Sequence, residues 1–204
     1  MLRRIKDKCL SKKSIVKEAW NNDKAIIILV FVAAMVGFLL AIAGTKSACE
    51  NSSGGNLITK IALEDFSAFV FLLKILLFAA IGYAISIFTC VNRVLFFISI
   101  ALPILTTKIF LQSIFVSCAM DGWSAYILLI VFYLPVLFVH IALYSLYLSA
   151  LYRNTCAGTN WKCRLPFGCT VKIALPICKK FLILSIIFHL VYSAIIIILL
   201  SIII

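Results

Sequence analysis

AIIILVFVAAMVGFLLAIA, residues 25–43, is an unbroken apolar run with no charged side chain. At a rise of about 1.5 Å per residue, a helix of this length crosses the roughly 30 Å hydrocarbon core of a bilayer. Its end, Ala41-Ile42-Ala43 before Gly44, resembles a small-residue cleavage site. The basic segment ahead of it is long for a signal peptide and the apolar run exceeds the usual hydrophobic core of one, so a retained anchor helix is expected.

The rest of the chain has the same character. Of 204 residues, 65% are apolar and only 13% are charged, against roughly 45–50% apolar in a soluble domain. Four further apolar stretches follow, at about 67–90, 94–119, 123–151 and 181–204. They give an all-α, polytopic membrane bundle of about five spans (25–204) behind a basic segment, 1–24. A polar outer loop covers 44–66 and a basic inner loop, with room for one short interfacial helix, 152–180. Pro103 and Pro135 fall inside spans, where bending is expected and neighbouring groups can serve the carbonyls a proline leaves free.

The net charge of +12 comes from residues that flank the spans. That distribution argues against nucleic acid, which needs a basic surface on a soluble scaffold. With the N-terminus inside, the inner segments carry fifteen Lys and Arg and the outer segments only Lys46 and Lys60. The positive-inside bias therefore predicts a multi-pass protein with a cytoplasmic N-terminus and an extracytoplasmic C-terminus. The inner basic segments would face the anionic lipid of the inner leaflet.

Small residues four apart let membrane helices approach closely. Ala33, Gly37 and Ala41 form such a stripe on the first span, and Gly82 and Ser86 on the second. Ser185, His189 and Ser193 share a face of the fifth. Ionisable or polar groups at membrane depth carry the functional interest, because they are costly there. These are Lys74, which can snorkel to the outer interface, then Lys108 and Gln112 mid-way along the third span, His140 in the fourth and His189 in the fifth. Each imidazole is expected to be neutral and hydrogen-bonded to Ser or Tyr across the bundle.

No Asp or Glu lies within a span, which weighs against proton or sodium coupling. The eight cysteines include no Cys-x-x-Cys pair and so give no zinc pattern. Cys49 and Cys118 both fall near the outer side, without spacing that dictates a pairing. Neither a nucleophile elbow, a zinc-protease motif nor a phosphate-binding glycine loop is present, so neither an enzyme nor a bound cofactor is expected.

Two short stretches carry a resemblance. One is Phe71-Leu72-Leu73-Lys74-Ile75-Leu76-Leu77, with Gly82 downstream. The other is Tyr133-Leu134-Pro135 with Ile141-Ala142-Leu143, ending at the basic Arg153. Together with the order of anchor helix, outer loop and four-span core, they resemble the stage II sporulation protein M family of bacterial membrane proteins. Leu73 and Val136 stand where that family tends to have Asn and His, and its glycine-rich third span has no counterpart here. The resemblance implies a non-catalytic scaffold of the bacterial envelope that docks membrane or envelope proteins, with any hydrolase chemistry carried by those partners. The alternative reading is a small transporter or permease subunit with a polar path near Lys108, Gln112 and His140.

Overall fold

The structure, a computed structural model, describes residues 24–50, 68–121, 123–155 and 166–203. Their order is α1 (Lys24–Glu50), α2 (Ala68–Thr89), α3 (Arg93–Asp121), α4 (Trp123–Thr155) and α5 (Phe167–Ile203), with no strand among the described residues. Four helices contain stretches long and apolar enough to cross a membrane: Lys24–Thr45, Val94–Val116, Leu134–Thr155 and Phe167–Tyr192. α2 has 22 residues, about 33 Å by helix rise, although its described apolar stretch, Leu76–Thr89, is shorter. The protein is an all-α polytopic membrane bundle.

Local chemistry sets the helix ends. The tight link between α2 and α3 closes because Asn92 caps α3. Its side-chain oxygen accepts from the Val94 amide at 2.9 Å and its carbonyl accepts from Phe96 at 2.9 Å. At the start of α5, the Pro166 carbonyl accepts from the amides of Cys169 and Thr170, so the chain enters the helix directly behind a proline.

Three boundaries differ from the expected spans. α1 continues from Ala43 to Glu50, where Thr45 and Ser47 donate to the carbonyls of Ala41 and Gly44 and keep the helix wound. α4 runs past Leu151 to Thr155, its last turn held by Asn154 and Thr155 donating to Ala150 and Leu151. The largest difference is at 152–180, expected as a loop with at most one short interfacial helix. From Phe167 onward it is the first part of α5, a continuous 37-residue helix with Pro176 inside it. Ala174, Cys178, Phe181, Ser185 and His189 are all buried, and their three- and four-residue spacing makes one stripe against the bundle. That packing outweighs the turn-forming character of Gly168 and Pro176. Residues 1–23, residues 51–67 of the expected outer loop and residues 156–165 of the expected inner loop lie outside the described residues.

Contacts give the direction of each helix. Gly37 of α1 meets Ile104 and Thr107 of α3, and Gly44 meets Gln112, so these two helices run parallel. Thr89 pairs with Ser99 and Phe78 with Phe110, so α2 and α3 are antiparallel. α5 crosses α2 obliquely. Tyr83 meets Ser185 while Phe88 stacks on Phe167, a displacement of about 7 Å along α2 against about 27 Å along α5.

The α1–α3 seam is the most extensive helix pairing, and it closes on the small-residue stripe. Ala33 and Ala41 are buried in it. A methyl group at Gly37 would stand 2.5 Å from the Ile104 carbonyl oxygen and 3.0 Å from Thr107 Cβ. Backbone lies on the other side, so the helices must separate to admit it. Gly37→Ala is expected to destabilise the bundle by about 1–3 kcal/mol in denaturant titrations in mild detergent. Gly168→Ala, with no atom within 4 Å of the added methyl, is expected to leave the midpoint essentially unchanged.

Candidate functional site

A proline in mid-helix leaves the carbonyl four residues earlier without its amide partner. For Pro103 of α3 that carbonyl belongs to Ser99, in the buried interior. The Tyr144 hydroxyl of α4 donates to it at 3.0 Å. The same hydroxyl lies 2.9 Å from Ser86 Oγ of α2, which also donates to the Gly82 carbonyl at 2.7 Å. Two hydroxyl hydrogens thus serve three contacts, and one of them is shared. Gly82 packs beside the Tyr144 ring, where an added methyl would stand 3.4 Å away in ordinary contact.

The network extends in both directions. Ser99 Oγ pairs with Thr89 Oγ1, which also reaches the Ser86 carbonyl. Tyr83 Oη pairs with Ser185 Oγ of α5 at 2.8 Å, and Tyr147 donates to the Tyr83 carbonyl at 3.0 Å. The rings of Tyr83, Tyr144 and Tyr147 pack on one another with centroids 4.7–6.1 Å apart. Four helices are thereby tied together in the half of the bundle next to the α2–α3 turn. His189 lies beside this region, its Nδ1 2.6 Å from the Ser185 carbonyl of its own helix.

His140 departs from expectation. It is buried on α4, stacked against Tyr144 at 6.4 Å, and its Nδ1 has no hydrogen-bond partner. The ring lines a cleft of about 220 Å³ between α2, α3 and α4.

The other sequence-derived candidates are not gathered around this cleft. Gln112 turns toward α1 and donates to the Gly44 carbonyl at 3.1 Å. Lys108, one helical turn earlier, is half-buried on that same side of α3 and is not among the cleft residues. The structure therefore separates Lys108 and Gln112 from His140, and the single polar path expected to join them is not formed. The side chains of Lys74, Ser193, Cys49 and Cys118 lie outside the described residues. Cys169 and Cys178 are free thiols.

The tyrosines and Ser99 were the residues sequence reasoning missed. Tyrosine is ordinarily enriched at membrane interfaces, so Tyr83, Tyr144 and Tyr147 within apolar runs were a usable signal. Pro103 was the second, since its freed carbonyl demanded a donor from another helix.

The fold and this network define a polytopic helical membrane protein whose intramembrane hydroxyls are bonded mainly to one another and to the helix backbone. Comparison with family models, curated proteins and solved structures gives no match to the chain.

Tyr144→Phe keeps the ring and deletes the donor to the Ser99 carbonyl. It is expected to cost about 1–2 kcal/mol of stability. In a Pro103→Ala background the new amide serves Ser99 within α3, so the same tyrosine change is expected to cost at least about 0.5 kcal/mol less. A double-mutant cycle by equilibrium unfolding measures the difference; strictly additive effects would contradict the assignment.

Proposed function

We propose that the chain is a non-catalytic scaffold or assembly component of a bacterial envelope complex, similar in role to the stage II sporulation protein M family. It would sit in the cell membrane with the N-terminus in the cytoplasm and the C-terminus outside. The observation that carries this reading is the closure of the polar interior. The hydroxyls of Ser86, Ser99, Tyr83, Tyr144, Tyr147 and Ser185 bond to one another and to freed or neighbouring carbonyls, an arrangement that fixes helices in register. A transport path would instead be supported by convergence of Lys108 and Gln112 with His140, which lies apart from them beside the cleft between α2, α3 and α4.

The outer surface supports the docking part of the reading. α1 exposes Ile28, Val32, Met35 and Leu39 on its free flank, and α3 exposes Val94 and Phe97. Such faces suit lipid or the helices of partner membrane proteins. Lys172, Lys179 and Lys180 are exposed on α5 and would meet anionic inner-leaflet lipid, in keeping with the Lys and Arg asymmetry.

Crosslinking in native membranes, followed by identification of what travels with the protein, tests the proposal. Defined envelope proteins are expected to co-purify through α1 and the outer loop. Recovery of the chain as a lone species after gentle extraction would contradict it, as would solute uptake by the purified protein in vesicles that is lost in Lys108→Leu.

A further inference from the structure

α5 is longer than a bilayer requires. Its 37 residues measure about 55 Å by helix rise, against a hydrocarbon core of roughly 30 Å. Residues 181–203 carry no Lys, Arg, Asp or Glu and by themselves reach about 34 Å. The stretch Phe167–Tyr192 also has the length to cross, but it would bring Lys172, Lys179 and Lys180 into hydrocarbon, which is costly. The bilayer therefore accounts for the second half of α5 and leaves residues 167–180 over. Phe167 stacks on Phe88, next to the end of α2, while Phe181 packs on Tyr147 and Ser185 meets Tyr83. Residues 167–180 thus run across the end of the bundle that carries the α2–α3 turn, at the membrane surface.

The two faces of this segment differ. Thr170, Ala174 and Cys178 are buried against the bundle. Lys172 and Lys179, two helical turns apart, share the opposite face, with exposed Leu175 between them and exposed Lys180 beside them. Neither α4 nor α5 contains an Asp or Glu, so no carboxylate of these two helices serves the lysines.

We propose that residues 167–180 form a binding surface for acidic phospholipid, with the three lysines on headgroup phosphates and Phe167 and Leu175 against the acyl chains. This rests on the lipid contact named above for these lysines and deepens it; it is independent of the scaffold role. The apolar side chains select lipid over a free anion. Phe167 and Leu175 are 55% and 58% exposed, and a soluble phosphate would leave both in water, whereas a phospholipid serves cation and apolar surface together. Long lysine stems can lie along the helix and lift their ammonium groups to the phosphates. A choline headgroup carries its own cation beside the phosphate and offers the lysines less.

The test follows amide hydrogen exchange of the full chain in nanodiscs of phosphatidylcholine, with and without phosphatidylglycerol. Such discs offer acidic lipid at both faces, so the outcome does not depend on which end of the chain is cytoplasmic. Phosphatidylglycerol is expected to slow exchange of residues 167–180 by about fivefold or more, the worth of one lysine at an anionic surface, and high salt to remove the effect. Changing all three lysines to Gln (Lys172→Gln, Lys179→Gln, Lys180→Gln) is expected to abolish the slowing while residues 140–151 exchange as before. Changing the same three to Arg is expected to keep it. No slowing in the unmodified chain, slowing that survives the Gln changes, or equal slowing by inorganic phosphate added to phosphatidylcholine discs would each overturn the proposal. Co-purification of envelope proteins is read separately, so failure here is distinct from failure of the scaffold reading.

Discussion

The hydrogen bond from the Tyr144 hydroxyl to the Ser99 carbonyl is the contact on which the rest of the bundle depends. Within hydrocarbon there is no water to serve an open backbone group, so every such group has to be paired inside the protein. Pro103 opens one in the middle of α3, and α4 closes it. That closure fixes the register of α4 against α3. Through Ser86 it fixes α2, and through the tyrosine rings it reaches α5. The α1–α3 seam is secured separately, by backbone approach at Gly37 and by the Gln112 amide on the Gly44 carbonyl. Two different devices therefore hold one bundle, hydrogen bonding on one flank of α3 and close packing on the other.

Much of this was legible from residue type alone. The run 25–43 announces a membrane helix, and the Ala33, Gly37, Ala41 stripe announces a close partner. The partner itself was not legible, because a small-residue stripe carries no address; only the structure names Ile104 and Thr107. The stretch 152–180 was misread for a related reason. Glycines, prolines and lysines dominate its local pattern, whereas the helical state of residues 167–180 rests on a buried stripe that the tertiary fold supplies. At membrane depth the chargeable residues attracted attention first, yet the hydroxyls of Tyr83, Tyr144, Tyr147 and Ser99 do more of the joining. Their partners lie on other helices, and sequence spacing does not encode that distance.

The functional reading follows from how the polar groups are disposed. A bundle whose hydroxyls are turned inward and bonded is suited to presenting fixed outer faces, which is what an assembly component requires. Among the described residues the Thr107 hydroxyl and the His140 Nδ1 are exceptions, both buried without a hydrogen-bond partner. Lys108 lies in helical register with Gln112, on the side of α3 away from the cleft that His140 lines.

The most direct test of the central claim is amide hydrogen exchange of the full chain in lipid nanodiscs. If the Tyr144 hydroxyl seals the opening that Pro103 makes, the amides of residues 96–107 will exchange as slowly as those of residues 140–151, with no weak point at the proline. Exchange of the segment around Pro103 at the rate of the frayed helix ends would contradict the account.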